Sequence, residues 1–151
     1  MKVVIASDHA GFEYKAILTE ELKKSGYDVL DLGPFKIDPT DDYPDHAAHV
    51  ANALLNKEAE RGILICGSAV GVSIAANKFK GIRAGVCHDT YSAHQGVEHD
   101  NVNILCMGQR VIGINLAIEI AATFLKAVYS KGERHQRRLE KIFAIEQKNM
   151  K

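Results

Sequence analysis

The chain has 151 residues, of which 46% are hydrophobic and 25% charged, and we expect one globular domain over residues 1–151. Lys and Arg together number 19, as do Asp and Glu, so no overall field would attract nucleic acid or a membrane surface. We expect no secretory signal in the first residues, MKVVIASDH, and no span long enough to cross a bilayer. Three widely spaced cysteines, Cys66, Cys87 and Cys106, favour reduced thiols in a cytoplasmic protein.

Strand patterns alternate with helix patterns along the whole chain. The first half predicts a strand at 3–6, a helix at 12–25 ended by Gly26, a strand at 28–32, a turn-rich loop, and a helix at about 46–57 capped by Asp45. The second half predicts a strand ending at Cys66, a turn and helix, a strand at 82–87, a helix capped by Asp89 or Thr90 and interrupted by Gly96, a strand at 102–108, a helix with Val128 on its apolar face, and a final helix at about 134–147. In the final helix, we expect Leu139, Ile142 and Ile145 to face inward.

Several of these predicted strands are apolar throughout, which is typical of a parallel sheet covered by helices on both faces. We therefore predict an α/β, Rossmann-like three-layer fold with a five-stranded parallel sheet. Right-handed crossovers bring the carboxyl ends of the strands to one edge, where ligands bind in open sheets of this kind. Residues expected at this edge are Asp8, His9, Tyr43, Cys66, Ser68, His88 and Arg110, with His99 presented by the loop before the fifth strand.

The stretch 61–78, RGILICGSAVGVSIAANK, predicts a buried strand, a turn bracketed by Gly67 and Gly71, and a helix. Such a junction directs backbone N–H groups and the helix dipole toward one place. A thiol at that place, Cys66, is favoured as a thiolate and can transfer a proton or attack as a nucleophile. The pattern matches neither a nucleotide phosphate loop nor a dinucleotide-binding motif, so the pattern alone is weak evidence for a ligand site. An ordinary structural turn between strand and helix is therefore the alternative.

The histidines suggest acid-base chemistry more than metal binding. His46 and His49 are one helical turn apart but supply only two ligands, whereas a dedicated site needs three or four. We expect no metal. His99 is the candidate for acid-base catalysis and His9 for a hydrogen bond to substrate. The histidines interpreted as structural are His46, His88 and His94.

Arg134 and Arg138 are four residues apart and share one face of the last predicted helix. Like charges at this spacing repel unless an anion lies between them. The pair is either a solvated basic turn or a clamp for a phosphate dianion, whose oxygens match the paired donors of guanidinium groups.

Six motifs in order along the chain resemble the ribose-5-phosphate isomerase B family, which also includes galactose-6-phosphate, allose-6-phosphate and tetrose-phosphate isomerases. They are SDHAG at 7–11, DYPD at 42–45, ILICGSAVGVSIAANK at 63–78, GIRA at 81–84, EHDNVNIL at 98–105 and ERHQRRLEKI at 133–142. Because they extend over nearly the whole chain, their combination is far more specific than any one of them.

The resemblance implies an aldose-ketose isomerase that acts on a phosphorylated sugar through a cis-enediolate, without metal or organic cofactor. It implies that Cys66 moves the proton between C1 and C2, beside Ser68, and that Asp8 and His99 open the sugar ring. The loop amides would stabilise the enediolate oxygen. The implied substrate-binding residues are His9, Tyr43, Gly67, Gly71, Asp100, Arg110, Arg134 and Arg138.

The resemblance also implies a homodimer or homotetramer with shared active sites, in which the C-terminal helix packs on a partner subunit and Arg110 reaches the neighbouring site. Ribose 5-phosphate is the first substrate expected. A tetrose, allose or galactose phosphate is the alternative, and a sugar-phosphate-binding subunit without chemistry of its own is a third possibility.

Two positions depart from the family pattern. Ala69 stands where the family turn usually has Gly, so either the backbone there needs no positive φ or the loop is altered. Asp100 follows His99 where an amide is usual, and a carboxylate there would repel an enediolate unless it is protonated or turned away. These departures bear on substrate choice more than on the type of reaction.

Overall fold

A computed structural model describes residues 1–150 of the chain. The strands are β1 (Lys2–Ser7), β2 (Asp28–Asp31), β3 (Arg61–Cys66), β4 (Ala84–Val86) and β5 (Ile104–Gly108). The helices are α1 (Phe12–Lys24), α2 (Tyr43–Leu55), α3 (Val70–Ala76), α4 (Thr90–Asp100), α5 (Ile114–Lys126) and α6 (Glu133–Asn149), and a short 3₁₀ turn spans His9–Gly11. All the strands pair in parallel, in the order β2-β1-β3-β5-β4.

The sheet is buried on both faces. Side chains alternate between the faces along each strand, so Ile5 and Ile63 pack toward α1 and α5 while Leu64 packs toward α2 and α3. Phe124 of α5 is fully buried, and such burial contributes about 1.5–3 kcal/mol per large side chain. The predicted three-layer α/β fold with a five-stranded parallel sheet is confirmed.

The start of α2 differs from the prediction. The helix begins at Tyr43 with Asp42 as its N-cap residue, and Pro44 lies in the first turn, where its missing N–H leaves no hydrogen bond unmade. Asp45 is therefore inside the first turn and is not the cap. As a result, Tyr43 belongs to a helix rather than to the preceding loop.

Some of the predicted helix features are confirmed by the structure and others are wrong. Gly26 follows α1 with φ 89°, as a helix-ending glycine should. Asp89 caps α4 by accepting a hydrogen bond from the Ser92 N–H, and the helix continues unbroken through Gly96. The predicted interruption is wrong. Val128 lies beyond the end of α5 and is exposed, so its predicted burial is also wrong.

The outer face of α6 carries apolar side chains that the single chain leaves exposed. Leu139 is buried, but Ile142 and Ile145 are 42% and 63% exposed. The prediction that all three face inward is wrong for one chain. No helix within residues 1–150 combines the length and apolar character needed to span a membrane.

Arg61 joins the first residue of β3 to the end of α5. Its guanidinium group donates hydrogen bonds to the carbonyls of Phe124 and Ala127, the latter at 2.6 Å. Helix ends leave carbonyl groups without intrahelical partners, and Arg61 satisfies two of them. Desolvation of the partly buried guanidinium lowers the pKa of Arg61.

Candidate active site

A cleft of about 360 Å³ opens at the carboxyl edge of the sheet, where β1, β3 and β5 end. This volume falls within the roughly 300–1,000 Å³ typical of small-molecule sites. The residues that line it are Asp8, His9, Ala10, Tyr43, Cys66, Gly67, Ser68, Gly71, Arg110 and Val111. The topology therefore brings together most of the side chains expected at this edge.

Cys66 ends β3 and lies at the cleft with its side chain largely buried. Its Sγ atom accepts a hydrogen bond from the Ala69 N–H at 2.9 Å. Ala69 adopts a left-handed backbone conformation, with φ 72°, and is the N-cap residue of α3. The possibility that the backbone at position 69 needs no positive φ is therefore excluded, because Ala69 itself adopts a positive φ. The turn thus points an N–H group at the thiol.

The other two cysteines have surroundings that suppress thiolate formation. Burial raises the pKa of Cys87 to about 11, and it raises the pKa of the fully buried Cys106 as well. A thiol becomes a nucleophile or base only when it ionises. Cys66 is therefore the one cysteine placed for chemistry in the cleft.

Ser68 and Asp8 flank the thiol in different ways. Ser68 is exposed, and its hydroxyl accepts a hydrogen bond from the Val70 N–H at 3.3 Å. Asp8 is buried, and its Oδ1 atom accepts hydrogen bonds from the N–H groups of Ala10 and Gly11 at 2.9 and 3.1 Å. These bonds fix the carboxylate at the end of β1.

Two glycines allow side chains to close over the turn. A Cβ atom on Gly71 would lie 2.8 Å from the ring of Tyr43, and one on Gly67 would lie 3.2 Å from Nη1 of Arg110. The first distance is shorter than real contacts allow, so Tyr43 reaches the turn only because position 71 lacks a side chain. Arg110 lies over Gly67 in the cleft of its own chain.

His9 lines the cleft and contacts a carboxylate behind it. Its Nδ1 atom lies 2.6 Å from Oδ1 of Asp41. This hydrogen bond, helped by the charge of Asp8, raises the pKa of His9, and the charge of Arg110 opposes the rise. Arg110 and a histidine whose protonated form is favoured thus share the cleft.

A second cluster lies elsewhere in the chain and contains His99, His135, Arg134 and Arg138. The rings of His99 and His135 stack with their centres 3.9 Å apart. Desolvation, together with the charges of His99, Arg134 and Arg138, lowers the pKa of His135. Both arginines are exposed and make no ion pair within residues 1–150.

The two groups of residues lie at opposite edges of the sheet. His99 is in the last turn of α4, not in a loop, and α4 runs back from the carboxyl edge to the start of β5 over roughly 16 Å, at 1.5 Å per residue. His99, Asp100, Arg134 and Arg138 consequently do not line the cleft that contains Cys66. The expectation that the strand ends and His99 meet at one edge is wrong within a single chain.

A family model described as Ribose/Galactose Isomerase matches residues 3–142. The chain belongs to the ribose/galactose isomerase family. The resemblance inferred from the six motifs is confirmed. Ribose-5-phosphate isomerase B of Escherichia coli is 46% identical over 97% of this chain and 97% of that protein. D-erythrulose-4-phosphate isomerase 2 of Mycolicibacterium smegmatis is 43% identical over 83% of this chain and 84% of that protein.

Solved structures agree with this placement in the ribose/galactose isomerase family. Ribose-5-phosphate isomerase B of Clostridium thermocellum superposes with a TM-score of 0.94 at 47% identity, covering 98% of this chain and 99% of that one. The Mycoplasma genitalium enzyme of the same name, solved with bound ribulose 5-phosphate, gives a TM-score of 0.92 at 44% identity, covering 98% and 97%.

Two residues that support the cleft carry no sequence motif that identifies them. The sequence places Asp41 only within the turn-rich loop expected at this edge, whereas the structure shows it in contact with both His9 and His46. Gln109 accepts a hydrogen bond from the Tyr14 N–H with its side chain and donates its own N–H to the Cys66 carbonyl, so it ties β3, β5 and α1 together. The available signal for Gln109 is its position directly after β5, whereas Asp41 lies well beyond the end of β2, in the irregular loop before α2.

His88 has the structural role expected of it. Its Nε2 atom accepts a hydrogen bond from the Gly108 N–H at 2.9 Å, which requires an unprotonated nitrogen there. Burial lowers the pKa of His88, which favours the same neutral form. Residues 1–150 contain no group of three or more His, Cys, Asp or Glu side chains that could hold a metal ion.

Proposed function

We propose that this protein is an aldose-ketose isomerase that interconverts ribose 5-phosphate and ribulose 5-phosphate. The observation that carries the proposal is the Cys66 thiol, held by the Ala69 N–H in a cleft that also contains Asp8, Ser68 and His9. The chain that carries this arrangement belongs to the ribose/galactose isomerase family. It supplies a base, a hydroxyl and a cation for a small phosphorylated sugar.

In the proposed reaction, Asp8 and His99 open the sugar ring, and the Cys66 thiolate removes the proton from C2 of the open aldose. The electrons left on C2 form the C1–C2 double bond of a cis-enediolate. Cys66 then returns its proton to C1, while the proton of the C2 hydroxyl passes to O1 on the side of Ser68. The backbone of Gly67–Gly71 would stabilise the negative oxygen, which is absent from the bound sugar, develops in the transition state and is complete in the enediolate.

The proposed site needs two chains. Arg134 and Arg138 are suited to bind the phosphate dianion because they are exposed and unpaired within residues 1–150. These two arginines and His99 do not line the cleft of their own chain. We propose a homodimer or homotetramer in which these residues of one copy complete the cleft of another. The three free thiols favour a reducing compartment, the cytoplasm.

Replacing the thiol tests the function directly. We expect Cys66→Ala to lower kcat for ribose 5-phosphate by about 10²–10⁴-fold, the usual contribution of a general base, with KM little changed. Cys87→Ala is the matched control, because Cys87 is a buried thiol outside the cleft, and it should keep kcat within about threefold. Unchanged turnover in Cys66→Ala would remove Cys66 from the role of base.

A tetrose phosphate is the second candidate substrate, because of the 43% identity to the Mycolicibacterium smegmatis erythrulose-phosphate isomerase. Comparison of kcat/KM across ribose, erythrose, allose and galactose phosphates separates the candidates. A kcat/KM for ribose 5-phosphate far above that for erythrose phosphate would exclude a tetrose phosphate as the substrate. Robust activity of the purified chain alone would also exclude a subunit that only binds sugar phosphate.

A further inference from the structure

Asp41 lies in the loop before α2, and its carboxylate contacts two histidines, His9 and His46. Its Oδ1 atom lies 2.6 Å from Nδ1 of His9 and 3.2 Å from the His9 backbone nitrogen. Its Oδ2 atom lies 2.8 Å from Nε2 of His46. The carboxylate is only 12% exposed. Burial acts to raise the pKa of Asp41, but the hydrogen bonds from His9 and His46 outweigh burial and leave the pKa lowered.

The geometry fixes which nitrogen of each ring carries hydrogen. An ionised carboxylate can only accept hydrogen bonds, so Nδ1 of His9 and Nε2 of His46 are both donors. Nδ1 of His46 is buried and has no partner within residues 1–150, which fits a neutral ring with its one hydrogen facing Asp41. His9 is more exposed and lines the cleft. Of the two rings, His9 is the one placed to meet a ligand.

The second nitrogen of His9 is left free for that ligand. Within residues 1–150, Nε2 of His9 makes no hydrogen bond. Asp41 holds the ring by its Nδ1 side and by the backbone N–H of the same residue, so the orientation of the ring is set from behind. Arg110 lines the same cleft, and its guanidinium group beside a protonated imidazole would suit an anionic oxygen such as that of a phosphate group.

We propose that Asp41 is a positioning residue that orients His9 and favours its protonated form, so that its Nε2–H binds the phosphate end of the substrate. This inference rests on the proposed function, since it presumes a phosphorylated sugar in the cleft. Asp41 touches no substrate and acts only through His9. Its effect therefore falls on substrate binding, because the phosphate is remote from the reacting carbons.

The charges that face His9 determine the sign of its pH dependence. Asp8, Asp38 and Asp41 favour the protonated ring and Arg110 disfavours it. The raised pKa of His9 means that the cation persists above the ordinary value of 6.5 and is lost as pH rises through the folded pKa. The affinity for phosphate should weaken as pH rises through the folded pKa of His9. Removal of the Asp41 charge should move this loss of affinity to lower pH.

The test compares Asp41→Asn with the wild-type chain. The variant keeps the shape of the side chain and removes its charge. We expect KM for ribose 5-phosphate to rise roughly tenfold, the loss associated with one charge-assisted hydrogen bond, while kcat stays within about threefold. In a ¹H–¹⁵N titration without substrate, the pKa of His9 should fall toward its ordinary value. An unchanged His9 titration would overturn the proposal.

Asp38→Asn is the matched control. It makes the same chemical change three residues away in the same loop, and Asp38 makes no hydrogen bond to His9. KM and the His9 titration should both change less than twofold and much less than in Asp41→Asn. Equal effects of the two substitutions would show that general loop charge, not contact, matters, and would overturn the positioning role.

A double-mutant cycle separates action through His9 from a purely structural role. In a His9→Gln background, adding Asp41→Asn should leave KM within about twofold of the single variant. If the rises in KM caused by His9→Gln and by Asp41→Asn multiplied in the double variant, the two residues would act independently and the proposal would be overturned. Wild-type protein without isomerase activity would overturn the proposed function alone, because the His9 titration and the affinity for inorganic phosphate still decide the role of Asp41.

Discussion

Ala69 shows how one residue can keep a family geometry without the usual glycine. Its φ of 72° lies in the left-handed region, and the conformation directs its N–H at the Cys66 sulfur. Alanine at such a position costs roughly 1–2 kcal/mol of backbone strain. The chain tolerates this cost at the residue that orients the thiol, in keeping with the tendency of strained backbone to occur at functional sites.

Substitutions at this position should separate strain from packing. Ala69→Gly relieves the strain but adds about 0.4–1 kcal/mol of chain entropy and removes a buried methyl group worth about 0.8 kcal/mol, so the free energy of unfolding should change by less than about 1 kcal/mol. Ala69→Val should lose about 2–4 kcal/mol, because a β-branched residue adopts this conformation poorly and overfills a buried site. Urea unfolding measures both. Equal stability of the two variants would contradict the left-handed conformation.

The residues of the cleft differ in how far the sequence could predict them. Cys66 ends a strand, and Ser68 and Asp8 lie just after strands; the apolar runs of these strands are plain, so the shared edge could be inferred from topology. Asp41 lies in an irregular loop without periodicity, and its contact with His9 depends on a path that no local pattern specifies. The φ of Ala69 was also open, because composition does not reveal whether a turn tolerates strain.

At the scale of elements, Arg61 shows that one strand can stabilise the end of a distant helix. Replacement by Met keeps an unbranched apolar stem but leaves the carbonyls of Phe124 and Ala127 without a charged donor. We expect the free energy of unfolding to fall by about 2–3 kcal/mol. Denaturant unfolding with near-ultraviolet and far-ultraviolet detection measures the loss.

Lys126→Met provides the control for this prediction. Lys126 is an exposed cation at the same helix end, and its replacement should change stability by less than about 0.5 kcal/mol. If both variants lost the same amount, the effect would belong to the helix dipole and not to the two hydrogen bonds of Arg61.

The elements themselves were easier to predict than their ends. Strands buried on both faces give continuous apolar runs, and α5 gives a broad apolar face, so their existence and type followed from the sequence. Helix starts depend on local competition: Pro44 in the first turn moved the start of α2 ahead of Asp45. Gly96 failed as a helix breaker because α4 is held by packing, including Val97 in the core.

At the scale of the whole molecule, the separation of Cys66 from His99 makes the proposed two-chain site testable by mixing. Cys66→Ala and His99→Ala should each be nearly inactive alone. Unfolded together and refolded at equal concentrations, they should recover about a quarter of wild-type activity, because half the dimers are mixed and each mixed dimer has one intact site of two. Assays of specific activity after refolding check this.

The control for mixing is a pair of variants on the same side of the site. Cys66→Ala and Asp8→Ala both alter the cleft, so a mixed dimer of these two has no intact site and should regain no activity. Recovery with this pair, or none with the first pair, would contradict the proposed two-chain arrangement.

The position of His99 at the end of α4 also bears on how such a protein could diverge. The cleft and the cluster around His99 lie at different edges of the fold. After duplication of the gene, one copy could therefore lose the residues of the cleft while the other copy lost the residues of the His99 cluster. Neither loss alone would be selected against while both copies were expressed. The two descendants would then depend on each other, and an enzyme of identical chains would have become one of obligately different chains.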